Sequence, residues 1–265
     1  MLTASDPEDA LASLRRHFEA FTERFALEGG LSYPLELKKR HSGRVGQFAL
    51  RIARELGWRG WDQAAAEGAG WLHDVGRFPQ FARFATFQDH RSLDHGEEGF
   101  RLLEAEPFLE AWPPEERPRL ASAVRFHNKR DVPPSCPELH RPLTLLIRDA
   151  DKLDVFEVVQ DAIDEGRIGE ILSGVSLDAP PSPEFLAELQ HGQTPVAYRH
   201  LYSLADFLLL QLSWIYNMNY PISFRLLSAS GVLDRLVSRL PETPPVQSFV
   251  QRCLESVAQQ GHGAP

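Results

Sequence analysis

Apolar residues recur at spacings of three and four along nearly the whole chain, and no stretch alternates at the two-residue period of a half-buried strand. Leu11, Leu14, Phe18, Phe21 and Phe25 follow this rule behind Asp6 and Pro7, which form a helix cap and first-turn pair. The Gly29–Gly30 pair is expected to end that helix. Val45, Phe48, Ile52 and Leu56 line one face of a second helix starting at Pro34. Further helices are expected in DQAAAEGAGWLHDVG, in SLDHGEEGFRLLEAE behind a Ser cap, in PEERPRLASAVRFHN and in the long PLTLLIRDADKLDVFEVVQDAIDEG. LADFLLLQLSWIY is too short and too polar, with Asp206 and Gln211, for a membrane span, and reads as a buried core helix. The predicted fold is all-α, a compact helical bundle with a C-terminal helical extension. Its expected parts are an N-terminal helix (1–33), a core (34–165), a Pro-rich surface insertion with one short helix (166–198) and C-terminal helices packed on the core (199–265).

Composition narrows the function. The formal net charge of −9 disfavours polymeric nucleic acid, which calls for a basic footprint. It leaves room for a small anionic substrate, because bound cations reverse the local field. Cys136 and Cys253 form no CxxC pair, so a thiolate zinc site is not expected, and low cysteine use fits a reducing, cytoplasmic setting. The N-terminus has no basic stretch followed by an apolar one, so it does not read as a signal peptide.

Four histidines and two aspartates make an ordered set: His41, then His73 with Asp74, His95, His127 and Asp151, spread over five predicted helices. A bundle can turn such side chains toward one cavity. Neutral imidazoles and carboxylates suit manganese, iron, zinc, nickel or cobalt. One economical arrangement puts His41, His73, Asp74 and Asp151 on a first ion, with Asp74 bridging to a second that also takes His95 and His127. A water between two such cations would lose a proton near neutral pH and become a nucleophile.

The same order resembles the HD-domain superfamily of metal-dependent phosphohydrolases, over about residues 35 to 155. HDVGR is similar to the family's hallmark dipeptide with its following Gly and basic residue. LDHGEEG is similar to the His-containing helix start of dinuclear members, and DADKLD to the closing Asp motif, with Lys152 and Asp154 as typical neighbours. The resemblance implies an all-helical fold around one or two divalent metal ions and hydrolysis of a small phosphoester, often a nucleotide. The chain has no Gly-Tyr-Pro signature, and Asn128 rather than a second His follows His127, so it departs from the subgroup that degrades cyclic dinucleotides. The helix pattern of the one-metal alarmone hydrolases is not apparent. A second branch of the superfamily, including inositol and phosphonate oxygenases, uses four His and two Asp at a diiron centre, and the ligand order here is compatible with it.

Several residues near the set are candidates for the chemistry. Arg77 would clamp a phosphate or stabilise transition-state charge. Lys152, Lys129 and Arg130 could reach an anionic substrate, and Lys152 could instead orient Asp151 or Asp154. His90 could give a proton to the leaving oxygen, with Arg91 near the phosphate. Asp94 is expected to accept a hydrogen bond from a ligand His. RFPQFARFATFQDHRS, with Phe78, Phe81, Phe84 and Phe87, reads as a long loop packed on the core or as a hydrophobic rim for a nucleobase. Asn217 or Tyr220 could line a pocket, and the C-terminal aromatics could support a homodimer. His17, His140, His191, His200 and His262 fall outside the ordered set.

Overall fold

The computed structural model describes residues 6–172, 174–189 and 201–263. Its described elements are helices, with isolated bridges but no strand. The chain divides into two compact units, Met1–Asp154 and Val155–Pro265. The division falls inside the long helix of residues 141–164, and the first unit holds both the N-terminal helix and the candidate ligands.

In the first unit, α1 (Pro7–Glu23) opens as expected, with the Asp6 carboxylate accepting from the Asp9 amide at 2.8 Å. It buries Leu14, Phe18 and Phe21. It ends before the Gly29–Gly30 pair, because the amides of Arg24, Phe25 and Ala26 turn back to carbonyls three residues earlier. Leu27 and Gly30 then exchange two backbone hydrogen bonds of 3.0 Å. The helix α2 (Tyr33–Glu55) carries Val45, Ala49, Ile52 and His41 on its buried face. The alanine-rich α3 (Trp61–Leu72) runs against it. A Cβ added at Gly70 would lie 2.6 Å from the Gly46 Cα, so only two glycines let these backbones come this close. Phe18 closes the core with edge-to-face contacts to Trp71 and Phe78 at 5.5 and 5.9 Å.

The segment expected to be a long loop contains α4 (Arg77–Phe84), which ends at Ala85 in the left-handed region, φ 52°. Pro79 reads as a breaker but sits in the first turn, where a helical amide has no partner to lose. Phe78 is fully buried, Phe81 stacks near Phe87 at 4.8 Å, and Phe84 is exposed, so the four phenylalanines have different roles. The next helix, α5 (His95–Ala105), is capped by Asp94 and not by Ser92: Asp94 accepts from the amides of Gly96 and Glu97 at 3.0 and 3.2 Å. The unit is completed by α6 (Arg117–Phe126) and the first part of α7 (Arg141–Asp164).

The second unit holds the rest of α7, then α8 (Ile168–Ile171) and α9 (Pro183–Leu189), the short helix expected in the Pro-rich insertion. It continues with α10 (Leu204–Ser213), α11 (Pro221–Ser230), α12 (Val232–Val237) and α13 (Pro244–Gly261). The apolar α10 is buried, as expected, and Asp206 and the Gln211 side-chain nitrogen find backbone partners. Asp206 accepts from the amides of Ser182, Tyr202 and Ser203 at 2.8–3.1 Å, and the Gln211 amide donates to the Val155 carbonyl at 3.0 Å. Asn217 closes a 3-10 turn before α11, and Tyr220 precedes that helix. His191 and His200 lie outside the described residues. Among the described residues, no helix is long and apolar enough to cross a membrane.

Candidate metal centre

Six side chains converge in the first unit. His41 comes from the middle of α2. His73 and Asp74 follow the last residue of α3. His95 is the first residue of α5, His127 follows α6, and Asp151 lies in α7. Four imidazoles and Asp74 are buried, each at most 5% exposed, while the Asp151 side chain is 28% exposed and marks the open side. Gly76 is what admits α5: a Cβ there would collide with the His95 carbonyl. The glycine after the His-Asp pair therefore lets the second pair of histidines reach Asp74.

The hydrogen bonds set the tautomers. His73 Nδ1 faces the Gly70 carbonyl at 2.7 Å, and His127 Nδ1 faces the Val124 carbonyl at 2.8 Å. A carbonyl only accepts, so the proton is on Nδ1 in both rings and Nε2 carries a lone pair when the ring is neutral. His41 Nδ1 lies 2.6 Å from Asp154 Oδ2, and His95 Nδ1 lies 2.7 Å from Asp89 Oδ2. All four Nε2 atoms turn inward. His41 and His73 bring theirs within 3.1 Å, and His95 and His127 within 3.0 Å.

Asp74 stands between the two pairs. Its Oδ2 lies 3.5 and 3.6 Å from Nε2 of His41 and His73. Its Oδ1 lies 3.3 and 3.7 Å from Nε2 of His95 and His127. Asp151 Oδ1 adds a donor 3.2 Å from His41 and 3.6 Å from His73, and can also be grouped with His127. Lone pairs and carboxylate oxygens crowded in this way repel one another unless positive charge joins them. Donors bound at about 2.1 Å and at right angles on one cation lie about 3.0 Å apart, which matches the observed Nε2 separations. The donor set therefore fits divalent metal.

The family model for the HD domain matches residues 39–158. These residues are an HD domain. No curated protein and no solved structure matched the chain. HD domains bind divalent metals and are typically metal-dependent phosphohydrolases. All six candidate ligands fall inside the HD domain, and its all-α fold agrees with the helices described above.

Without metal, protons and ammonium groups supply the positive charge in the HD domain. Burial and Lys38 oppose a charge on His41, but the carboxylates of Asp151, Asp154 and Asp74 outweigh them and push its pKa up to about 10. Burial, reinforced by Arg77, takes His95 the other way, to about 3, despite Asp89. Burial also lowers His127. Burial works against the carboxylates of Asp74 and Asp151, yet Lys38 and the histidines around Asp74, and His41 and His73 around Asp151, hold both well below the usual range.

Two of these neighbours escaped the sequence reading. Lys38, one turn before His41 on α2, donates to Asp74 Oδ2 at 2.6 Å. Asp89 binds His95, the place expected for Asp94. Asp94 is instead occupied by the α5 amides, Asn128 and Lys129, because its position before the helix turns it toward the orphan amides. Asp154, expected only as a typical neighbour, is the partner of His41 and is clamped by Arg44 at 2.6 and 3.1 Å.

The other candidates divide. Arg77 is at the site: its Nε lies 3.4 Å from Asp74 Oδ1, while its Nη1 donates to Gln80, the Phe87 carbonyl and Asp89. The Lys152 ammonium donates to the Arg148 carbonyl at 3.1 Å, and burial with the nearby Arg148 lowers its pKa to about 8. Lys129 is paired with Asp94 rather than turned to the cluster. His90 and Arg91 are exposed in the turn Asp89–Arg91, and among the described residues neither makes a hydrogen bond or ion pair to the cluster. The carboxylate between them and α4 is what this turn delivers.

Proposed function

We propose that this chain is a metal-dependent phosphohydrolase acting on a small phosphoester, with nucleotides as the leading class. The observation that supports it most is Asp74. Its two oxygens face two separate imidazole pairs, and a cationic side chain approaches each oxygen, Lys38 on Oδ2 and Arg77 on Oδ1.

His41, His73, Asp74 and Asp151 would hold one divalent cation, and Asp74, His95 and His127 a second. Such cations, when bound, supply an acidified water and offset phosphate charge. The chain's own residues do the rest. Asp74 sets the spacing of the two positions. Asp154 and Asp89 hold His41 and His95 with their Nε2 lone pairs inward. Lys38 and Arg77, only 18% and 15% exposed, place fixed positive charge where phosphoryl oxygens would lie. Lys152 adds positive potential beside Asp151, its ammonium anchored on the Arg148 carbonyl.

The test is a panel of phosphomonoesters, nucleotides and cyclic nucleotides given to metal-stripped protein reloaded with manganese, cobalt, nickel, zinc or iron in turn. Release of phosphate or of a nucleoside product is expected with at least one metal. No release with any of them overturns the reading. Oxygen uptake by iron-loaded protein without hydrolysis would select the oxygenase chemistry that the same donors allow.

A further inference from the structure

The two halves of the cluster are not supported equally. Asp154, the carboxylate behind His41, sits within α7, has a side chain 1% exposed, and is gripped by Arg44 through both of its oxygens. Asp89, the carboxylate behind His95, sits in an irregular connection between α4 and α5, beside exposed His90 and Arg91, with a side chain 32% exposed. Four donors from three elements meet on it. Arg77 and Gln80 of α4 reach Oδ1 at 2.8 and 2.9 Å, and His95 of α5 and Asn128 after α6 reach Oδ2 at 2.7 and 3.1 Å. The donor count differs as well. Asp151 Oδ1 lies 3.2 Å from His41 Nε2 and 3.6 Å from His73 Nε2 and can also be grouped with His127, but among the described residues no such group joins it with His95.

We infer that Asp89 is the positioning residue that sets how tightly the second cation is held, which makes the His95–His127 position the weaker and exchangeable one. This rests on the two-cation reading above. The physical reason lies in a tautomer. Asp89 keeps the His95 proton on Nδ1 and so keeps the Nε2 lone pair inward. The Asn128 amide nitrogen lies 3.3 Å from the same Nδ1. Without Asp89, that donor would hold the opposite tautomer and turn an N–H toward the cation. The same carboxylate anchors Arg77, so the grip on the second cation and the placement of the phosphate-facing guanidinium share one residue.

The experiment titrates manganese(II) into the metal-stripped full chain, following stoichiometry by calorimetry and spin coupling by electron paramagnetic resonance. The native chain is expected to bind two ions with unequal affinity and to give a coupled-pair spectrum when both are bound. Asp89→Ala should weaken the second ion by about ten- to a hundredfold, replace the coupled spectrum with that of an isolated ion and leave the first affinity unchanged. Asp89→Asn, which keeps an acceptor oxygen, should recover part of the loss and serves as the readout if the alanine variant does not fold. Asp154→Ala should instead weaken the tighter ion. Unchanged binding in both Asp89 variants, or equal loss of both ions at an unchanged melting temperature, overturns the assignment. A native chain that binds a single ion overturns the two-cation reading itself and is told apart by that stoichiometry.

Discussion

The His41–His73 half and the His95–His127 half of the cluster share one design and differ in charge. Each pairs a histidine held by a carboxylate with a histidine held by the carbonyl three residues before it, and each faces one oxygen of Asp74. The first half also carries Asp151 and Asp154 close to His41, which therefore takes a proton readily. In the second half burial prevails, Arg77 adds to it, and His95 and His127 stay neutral. Similar ligands thus have opposite acid–base character, because the number of nearby carboxylates decides whether desolvation or attraction wins.

The strongest way to break the comparison is to remove what the halves share. Asp74→Ala should abolish two-ion binding and lower any phosphoester hydrolysis by at least about a thousandfold, several kcal/mol of lost transition-state stabilisation. Activity within tenfold of native, with two ions still bound, would show that the halves do not depend on that carboxylate.

The two glycines should separate the halves next. Gly76→Ala forces α5 away from the turn after Asp74 and should cost about 1–3 kcal/mol, with loss of the His95-side ion before the other. Gly70→Ala forces α3 from α2 at similar cost and should strike the His41 side first. Denaturant melts and metal stoichiometry on the two variants give the comparison directly, and identical metal losses would count against it.

The halves should also respond to pH with opposite sign in metal-stripped protein. His95 has its pKa depressed to about 3 in the fold, so the unfolded chain binds its proton first. Its contribution is present above the unfolded value near 6.5 and is lost as pH falls toward 3. His41 has its pKa raised to about 10, so its contribution is full below 6.5 and is lost as pH rises toward 10. Denaturation curves at pH 5, 7 and 9 should show His95→Gln flattening the acid limb and His41→Gln flattening the alkaline limb. If the limbs exchange variants, the charge assignment is wrong.

The smallest effect is expected at Arg44. Its side chain is 39% exposed, so Arg44→Ala should cost no more than about 1 kcal/mol by thermal melting, although it grips the buried Asp154. A loss several times larger would mean that the His41 half depends on the guanidinium as much as on the carboxylate.

Much of this centre is legible in the order of residues. The six candidate ligands stand in the expected sequence, and the structure brings their donor atoms together. The helices that carry them announce themselves by spacing, by Asp6 with Pro7 and by the apolar face of α2. Other features were hidden or misread. Pro79 disguised α4 because a proline in a first turn and a proline in a loop look alike in sequence. Ser92 and Asp94 are both good caps, and only the backbone path shows that Asp94 takes the amides. Lys38 lies one turn from His41, so helical spacing could have flagged it, but a lysine on a helix is most often solvated.

By itself the sequence determined the helical class and the kinds of atom available to a metal, since periodicity and residue chemistry are local properties. Tertiary structure alone decided which carboxylate stands behind which histidine. His41 and Asp154 are 113 positions apart, and they meet because Gly46 and Gly70 let α2 and α3 touch while the first part of α7, which carries Asp154, lies in the same unit. Whether an imidazole is driven neutral or holds its proton then follows from that packing, because burial and the nearest charges, not the identity of the residue, set its ionisation.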